Sequence, residues 1–120
     1  MDRRKLIDEF LHCFPEFRSS YKKHISEYDE FLAHIFFGEF INPKLLVLLE
    51  DDQDKSRIEK VFTFLERMAV EGDADVQEIL MVTILERIGD EQELLDKSHY
   101  YMGKFTRETS DKIESFWGRR

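Results

Sequence analysis

The sequence predicts an all-α domain, one compact body of five to seven helices spanning residues 1–120. Three observations predict it. Apolar residues recur at helical spacing along most of the chain. Five glycines and two prolines leave little material for the tight turns of a sandwich or barrel. The stretch from Asp54 to Asp90 carries two helix patterns, Ser56–Val70 and Asp73–Gly89, joined by a short Glu71-Gly72-Asp73 turn. The second arm is nearly all apolar. Residues 74–88 are therefore the predicted central buried helix of a helical-hairpin packing, HEAT-like or an orthogonal bundle.

Each element has its own local signal. Leu6, Ile7, Phe10, Leu11 and Phe14 share one helix face, Asp2 can cap its start, and Pro15 ends it, so the first helix covers about residues 3–13. Pro15 suits the first position of a second helix, which Phe17, Tyr21, Ile25 and Tyr28 continue. Phe31, Leu32, Ile35 and Phe36 fit a third, interrupted at Phe37-Gly38. Asn42-Pro43 reads as a fresh helix start, a cap followed by proline. Leu45, Leu46, Leu48 and Leu49 then form a short apolar helix, and Glu50-Asp51-Asp52 suit the start of the next element rather than a helix C-terminus.

Ser56 and Glu59 match a capping box, followed by the stripe Ile58, Val61, Phe62, Leu65, Met68 and Ala69. Gly72 stops that helix and Asp73 caps the central one. Its run Ile79–Leu85 is apolar on every side. Gly89 terminates it, and Asp90 is the predicted cap of a helix turning Leu94, Leu95, Ser98, Tyr101 and Met102 inward. Gly103 breaks this one. The last, about 105–117, presents Phe105, Thr109, Ile113, Phe116 and Trp117. Thr63–Arg67 is echoed by Thr83–Arg87, a spacing that stacked helix pairs produce and similar helix ends also produce.

Composition narrows the function. A chain of 120 residues buries roughly two thirds of its unfolded surface, enough for one core. The single Cys13 excludes an internal disulfide. Asp8 and Glu9 interrupt any signal-peptide apolar region, and no apolar run approaches the ~20 residues of a membrane span. A cytoplasmic protein is expected. Net charge is −8 and uneven. Residues 1–26 carry six Lys/Arg against four Asp/Glu, a balance of +2, whereas residues 27–56 carry two against eight, a balance of −6. That acidity disfavours nucleic acid and anionic membranes and suits a basic protein partner.

No catalytic, cofactor or metal motif emerges. His12, His24, His34 and His99 include no i, i+4 pair, and no Glu-x-x-His occurs. Cys13 reads as a packing residue, the serines lie on no Gly-x-Ser-x-Gly elbow, and the glycines form no phosphate loop. Glu50, Asp51, Asp52 and Asp54 cluster without the glycine of a calcium loop. Two candidate partner-binding features remain. One is the aromatic segment with His34, Phe36, Phe37 and Glu39. The other is the acidic group Glu50, Asp51, Asp52 and Asp54.

Leu32-Ala33-His34-Ile35-Phe36-Phe37-Gly38-Glu39, Glu71-Gly72-Asp73 through Val76-Gln77 to Leu85-Glu86, and Tyr101-Met102-Gly103 with Thr106-Arg107 occur here in that order. Together they resemble the blocks of a family of short uncharacterised bacterial proteins, a domain of unknown function. Ala33 stands where members often have proline, and Asn42-Pro43 departs from a continuous helix. The resemblance implies a compact all-helical cytoplasmic protein. Some relatives sit beside polymorphic toxin genes, which implies an immunity protein that binds and blocks a toxin. The expected function is thus a non-enzymatic protein-binding module with a protein partner, a basic toxin. The alternatives are a small-ligand-binding or enzymatic helical bundle and a self-associating subunit.

Overall fold

Asp2 accepts the Lys5 N–H at 2.9 Å and so starts the first helix, α1 (Arg3–Cys13), as its sequence position suggests. The computed structural model describes residues 1–119, and no strand occurs among them. Pro15 opens a 3₁₀ turn, Pro15–Phe17, that runs into α2 (Arg18–Tyr28). The remaining helices are α3 (33–51), α4 (Lys55–Glu71), α5 (74–89), α6 (Gln92–Tyr101) and α7 (Lys104–Trp117). The Cα radius of gyration is 13.7 Å, against about 13.6 Å for a compact chain of this length.

The predicted break in α3 does not occur. Ala33–Phe36, a π turn Phe37–Ile41 and Asn42–Asp51 form one continuous helix. The buried row Ala33, Phe37, Ile41, Leu45 and Leu49 explains why. It repeats every fourth residue, and at 100° per residue each step overshoots a turn by about 40°. A pure α-helix would rotate the row out of the core. A wider π turn holds an extra residue and absorbs the drift. Asn42 is therefore helical (φ −53°, ψ −47°) and not a cap.

The same arithmetic acts in α5. Val76, Leu80, Ile84 and Ile88 are buried at four-residue steps, and a π segment, Ile79–Leu85, lies between Ala74–Glu78 and Glu86–Gly89. Asp73 caps this helix, accepting the Val76 N–H at 3.0 Å. Helix α5 packs against α1, α3, α4, α6 and α7, which makes it the central helix the sequence predicts. It is not buried on every side, because Val82 emerges to 37% exposure.

Three smaller expectations are corrected. The cap of α4 is Asp54, which accepts the Arg57 N–H at 3.1 Å. A cap two residues earlier leaves Ser56 inside the helix and dissolves the Ser56–Glu59 box. Asp90 does not cap α6. Its carboxylate meets Arg119 at 2.6 Å and Arg87 at 3.8 Å. In α7 the inward face is Thr106, Ser110, Ile113 and Glu114, while Phe105, Phe116 and Trp117 are exposed. Small side chains at 106 and 110 let α7 lie close on α4 and α5.

Glu66 secures that contact. Gly103 precedes α7 without a capping side chain, and Glu66 of α4 takes the role. Its carboxylate accepts from Phe105 N at 3.1 Å, Thr106 N at 2.8 Å and Thr106 Oγ1 at 2.7 Å. A Cβ on Gly103 would lie 2.5 Å from Glu66 Cδ, so a side chain there would displace this carboxylate. Burial pushes the Glu66 carboxyl up, but the hydrogen bonds from Thr106 and Phe105 outweigh it and hold the group below its ordinary value.

Candidate functional site

Phe36 and Phe37 are core residues, 0% and 1% exposed, so these two rings are not open to a partner, whereas Ile35 of the same segment is 38% exposed. The physical reason is Phe10. Its ring lies 5.2 Å from Phe37, 5.0 Å from Phe14, 5.5 Å from Phe64 and 6.4 Å from Phe36 between centroids. Both α3 aromatics, Phe36 at the end of the first α-helical turn and Phe37 at the start of the π turn, enter this cluster, where each full burial contributes about 1.5–3 kcal/mol. His34 and Glu39, from the same segment, are exposed.

The acidic group divides. Asp54 is the α4 cap. Asp52 ends α3 in the left-handed conformation (φ 53°), and its carboxylate accepts from Tyr101 OH at 3.3 Å and Lys55 Nζ at 3.4 Å. These two hold the α3–α4 turn in place. Glu50 is exposed, and its backbone carbonyl accepts from Lys97 Nζ at 3.1 Å. Asp51 is also exposed, and it borders a groove.

That groove is the candidate site. It encloses about 340 Å³ between α1, the Pro15–Phe17 turn, the second half of α3 and the start of α4. Phe10, Phe14, Phe17, Leu45, Leu48 and Val61 form an apolar floor. Val47 stands on its edge, 66% exposed. The lip is charged. Arg57 donates to the Glu16 carboxylate, Lys44 Nζ lies 5.2 Å over the Phe17 ring, and Asp51 closes the acidic end. Burial pushes the Glu16 carboxyl up, but its own backbone N–H, the Arg57 hydrogen bond and charge, and Lys60 hold it below the ordinary value.

Sequence reasoning did not find Val47, Glu16, Lys44 or Arg57. A usable signal existed at Val47. In Leu45-Leu46-Val47-Leu48-Leu49, position 47 lies about 160° around the helix from Leu45 and Leu49, which are buried. A helix at the edge of a domain cannot bury both sides, so one apolar residue of the run had to emerge.

A second polar arrangement lies where the π segments of α3 and α5 face each other. His34 Nδ1 is 2.6 Å from Thr83 Oγ1, and Asn42 Nδ2 donates to the Thr83 carbonyl at 2.9 Å. The widened turn redirects backbone carbonyls, and Asn42 satisfies this one. The pair is a lateral tie between helices and borders no part of the groove. Cys13 is half-buried against the core. Among the described residues no three His, Cys, Asp or Glu side chains gather as metal ligands. No described helix is long and apolar enough to cross a membrane.

Residues 7–118 match the model of the family described as Domain of unknown function (DUF7674), and the chain belongs to that family. No curated protein and no solved structure matches it.

Proposed function

We propose that this chain is a non-enzymatic, cytoplasmic protein-binding module of bacterial origin that neutralises a toxin. The toxin would insert an apolar segment with basic flanks into the groove between α1, α3 and α4. The groove carries this reading. Its floor is aromatic and aliphatic, its edge exposes Val47, and its lip carries Asp51. An apolar centre with a charged rim is how protein-recognition sites combine affinity with orientation. The −6 balance of residues 27–56 favours a basic occupant. The toxin assignment rests on the resemblance to proteins encoded beside toxin genes.

Co-expression with the toxin domain encoded beside its gene tests the reading. The wild-type chain should restore growth. Val47→Glu should abolish protection while its melting temperature stays at the wild-type value. Protection that survives Val47→Glu overturns the groove, and no protection by the wild type overturns the immunity role.

A further inference from the structure

We propose that a second copy of this chain docks on the outer face of α7, forming a two-fold dimer in which the two α7 helices run antiparallel. The face lies away from the groove. Phe105 and Phe116 are 45% and 77% exposed. Between them on the same side lie Thr109 and Lys112, with Glu108 beside them. At 100° per residue, these five positions fall within about 100° of the helix circumference. Beside the helix is a depression of about 550 Å³, lined among others by Ala69, Met81, Val82 and Phe105. The depression is mixed, with Gln77, Glu78, Glu108, Thr109 and Lys112 beside its apolar residues, and exposed aromatics next to such a surface are what a partner covers.

The spacing on α7 identifies the partner. Phe105 and Phe116 are eleven residues apart, about 16 Å along the axis. A two-fold axis between positions 110 and 111 sets Phe105 of one copy against Phe116 of the other, twice. The same operation sets Glu108 beside the partner's Lys112, twice. Apolar and charged positions are therefore both self-complementary, as an isologous interface requires. The charges support this arrangement independently. Glu108 and Lys112 are four residues apart in the favourable order for pairing within one helix. Yet no ion pair among the described residues includes either. Arg107 and Asp111, one position earlier, do pair, at 3.2 Å. The Phe116 ring, 5.4 Å from Trp117 in an edge-to-face contact, would seat in the partner's depression beside Phe105, Met81 and Val82.

Sedimentation equilibrium of the wild-type chain over a concentration series tests the dimer. A monomer–dimer equilibrium is expected. Phe116→Glu should raise the dimer dissociation constant about tenfold or more. Lys112→Glu should weaken the dimer, and adding Glu108→Lys in the same chain should restore it. Both sites are exposed, and circular dichroism melting confirms that the variants stay folded. A wild-type chain that is monomeric throughout, open-ended assembly, or a charge swap that fails to restore the dimer overturns the proposal. Val47→Glu should leave the dimer intact, so this test and that of the groove fail separately.

Discussion

In α3, Phe36 and Phe37 are buried in the first half, whereas Val47, ten residues on, stands exposed at the edge of a groove. Composition alone ranks the two halves the other way, because a run of aromatics in an irregular stretch looks like an interface and a leucine-rich run looks like core. What decides is the row each residue occupies. Residues 33, 37, 41, 45 and 49 form one inward row held straight by the π turn, and Phe36 lies beside it on the Phe10 side. Val47 lies opposite, where no helix covers it. Burial within one helix thus depends on angular position, and the larger hydrophobe is not the better interface candidate.

The strongest test of this contrast is Phe36→Ala. Truncating a fully buried Phe should cost about 3–5 kcal/mol, read as a drop in the urea midpoint. An unchanged midpoint would show that the first half of α3 is not core. Asn42→Ala should cost about 1–3 kcal/mol, because the Thr83 carbonyl loses its donor at the π turn. A neutral result would mean that water replaces the amide, and that the two π segments are not tied through this side chain.

Much of this was legible. Helix α1, the Asp73 cap and the central place of α5 all stem from local chemistry, an Asp cap or an apolar run, whereas Pro15 opens a 3₁₀ turn and not the second helix itself, which starts at Arg18. Both π segments escaped because a search for 3.6-residue periodicity treats a four-residue step as acceptable, though five such steps accumulate about half a turn of drift. The inward face of α7 escaped because Thr106 and Ser110 are buried for their small size and Glu114 for its 2.6 Å contact with Arg119, and none of these reads as apolar. The groove escaped because it is built from side chains up to about fifty positions apart. Only the acidic Asp51 at its lip was named from sequence.

Acid titration probes the exposed half from its lip. The Glu16 carboxyl is held below its ordinary value of 4.5. Its contribution is therefore fully present above that value and lost as pH falls through the lower, folded value. With 39% of its side chain exposed, the ion pair with Arg57 should contribute less than about 1 kcal/mol. Glu16→Gln should lower the urea midpoint slightly at neutral pH and match the wild type once the pH has fallen below the folded value of this carboxyl. A deficit that persists in acid would assign the loss to packing. Smaller still is the effect of Val47→Glu on folding, within about 0.5 kcal/mol. A large loss there would mean that the groove edge is part of the core.

The smallest effect on stability belongs to the acidic end of the helix, and it separates function from folding most cleanly. Of the four acids grouped there by sequence, Asp52 and Asp54 fix the α3–α4 turn, so reversing them confounds binding with fold. Glu50 and Asp51 carry no such duty, since neither side chain has a hydrogen-bond or ion-pair partner among the described residues. Glu50→Lys with Asp51→Lys should leave the melting temperature unchanged. It should slow association with a basic toxin domain at low salt, and the difference should shrink as salt screens the rim. Asp52→Lys, by contrast, should lower the melting temperature, because it removes the acceptor for Tyr101 and Lys55. If the double variant associates at the wild-type rate in low salt, the acidity of residues 27–56 steers nothing, and recognition rests on the apolar floor alone.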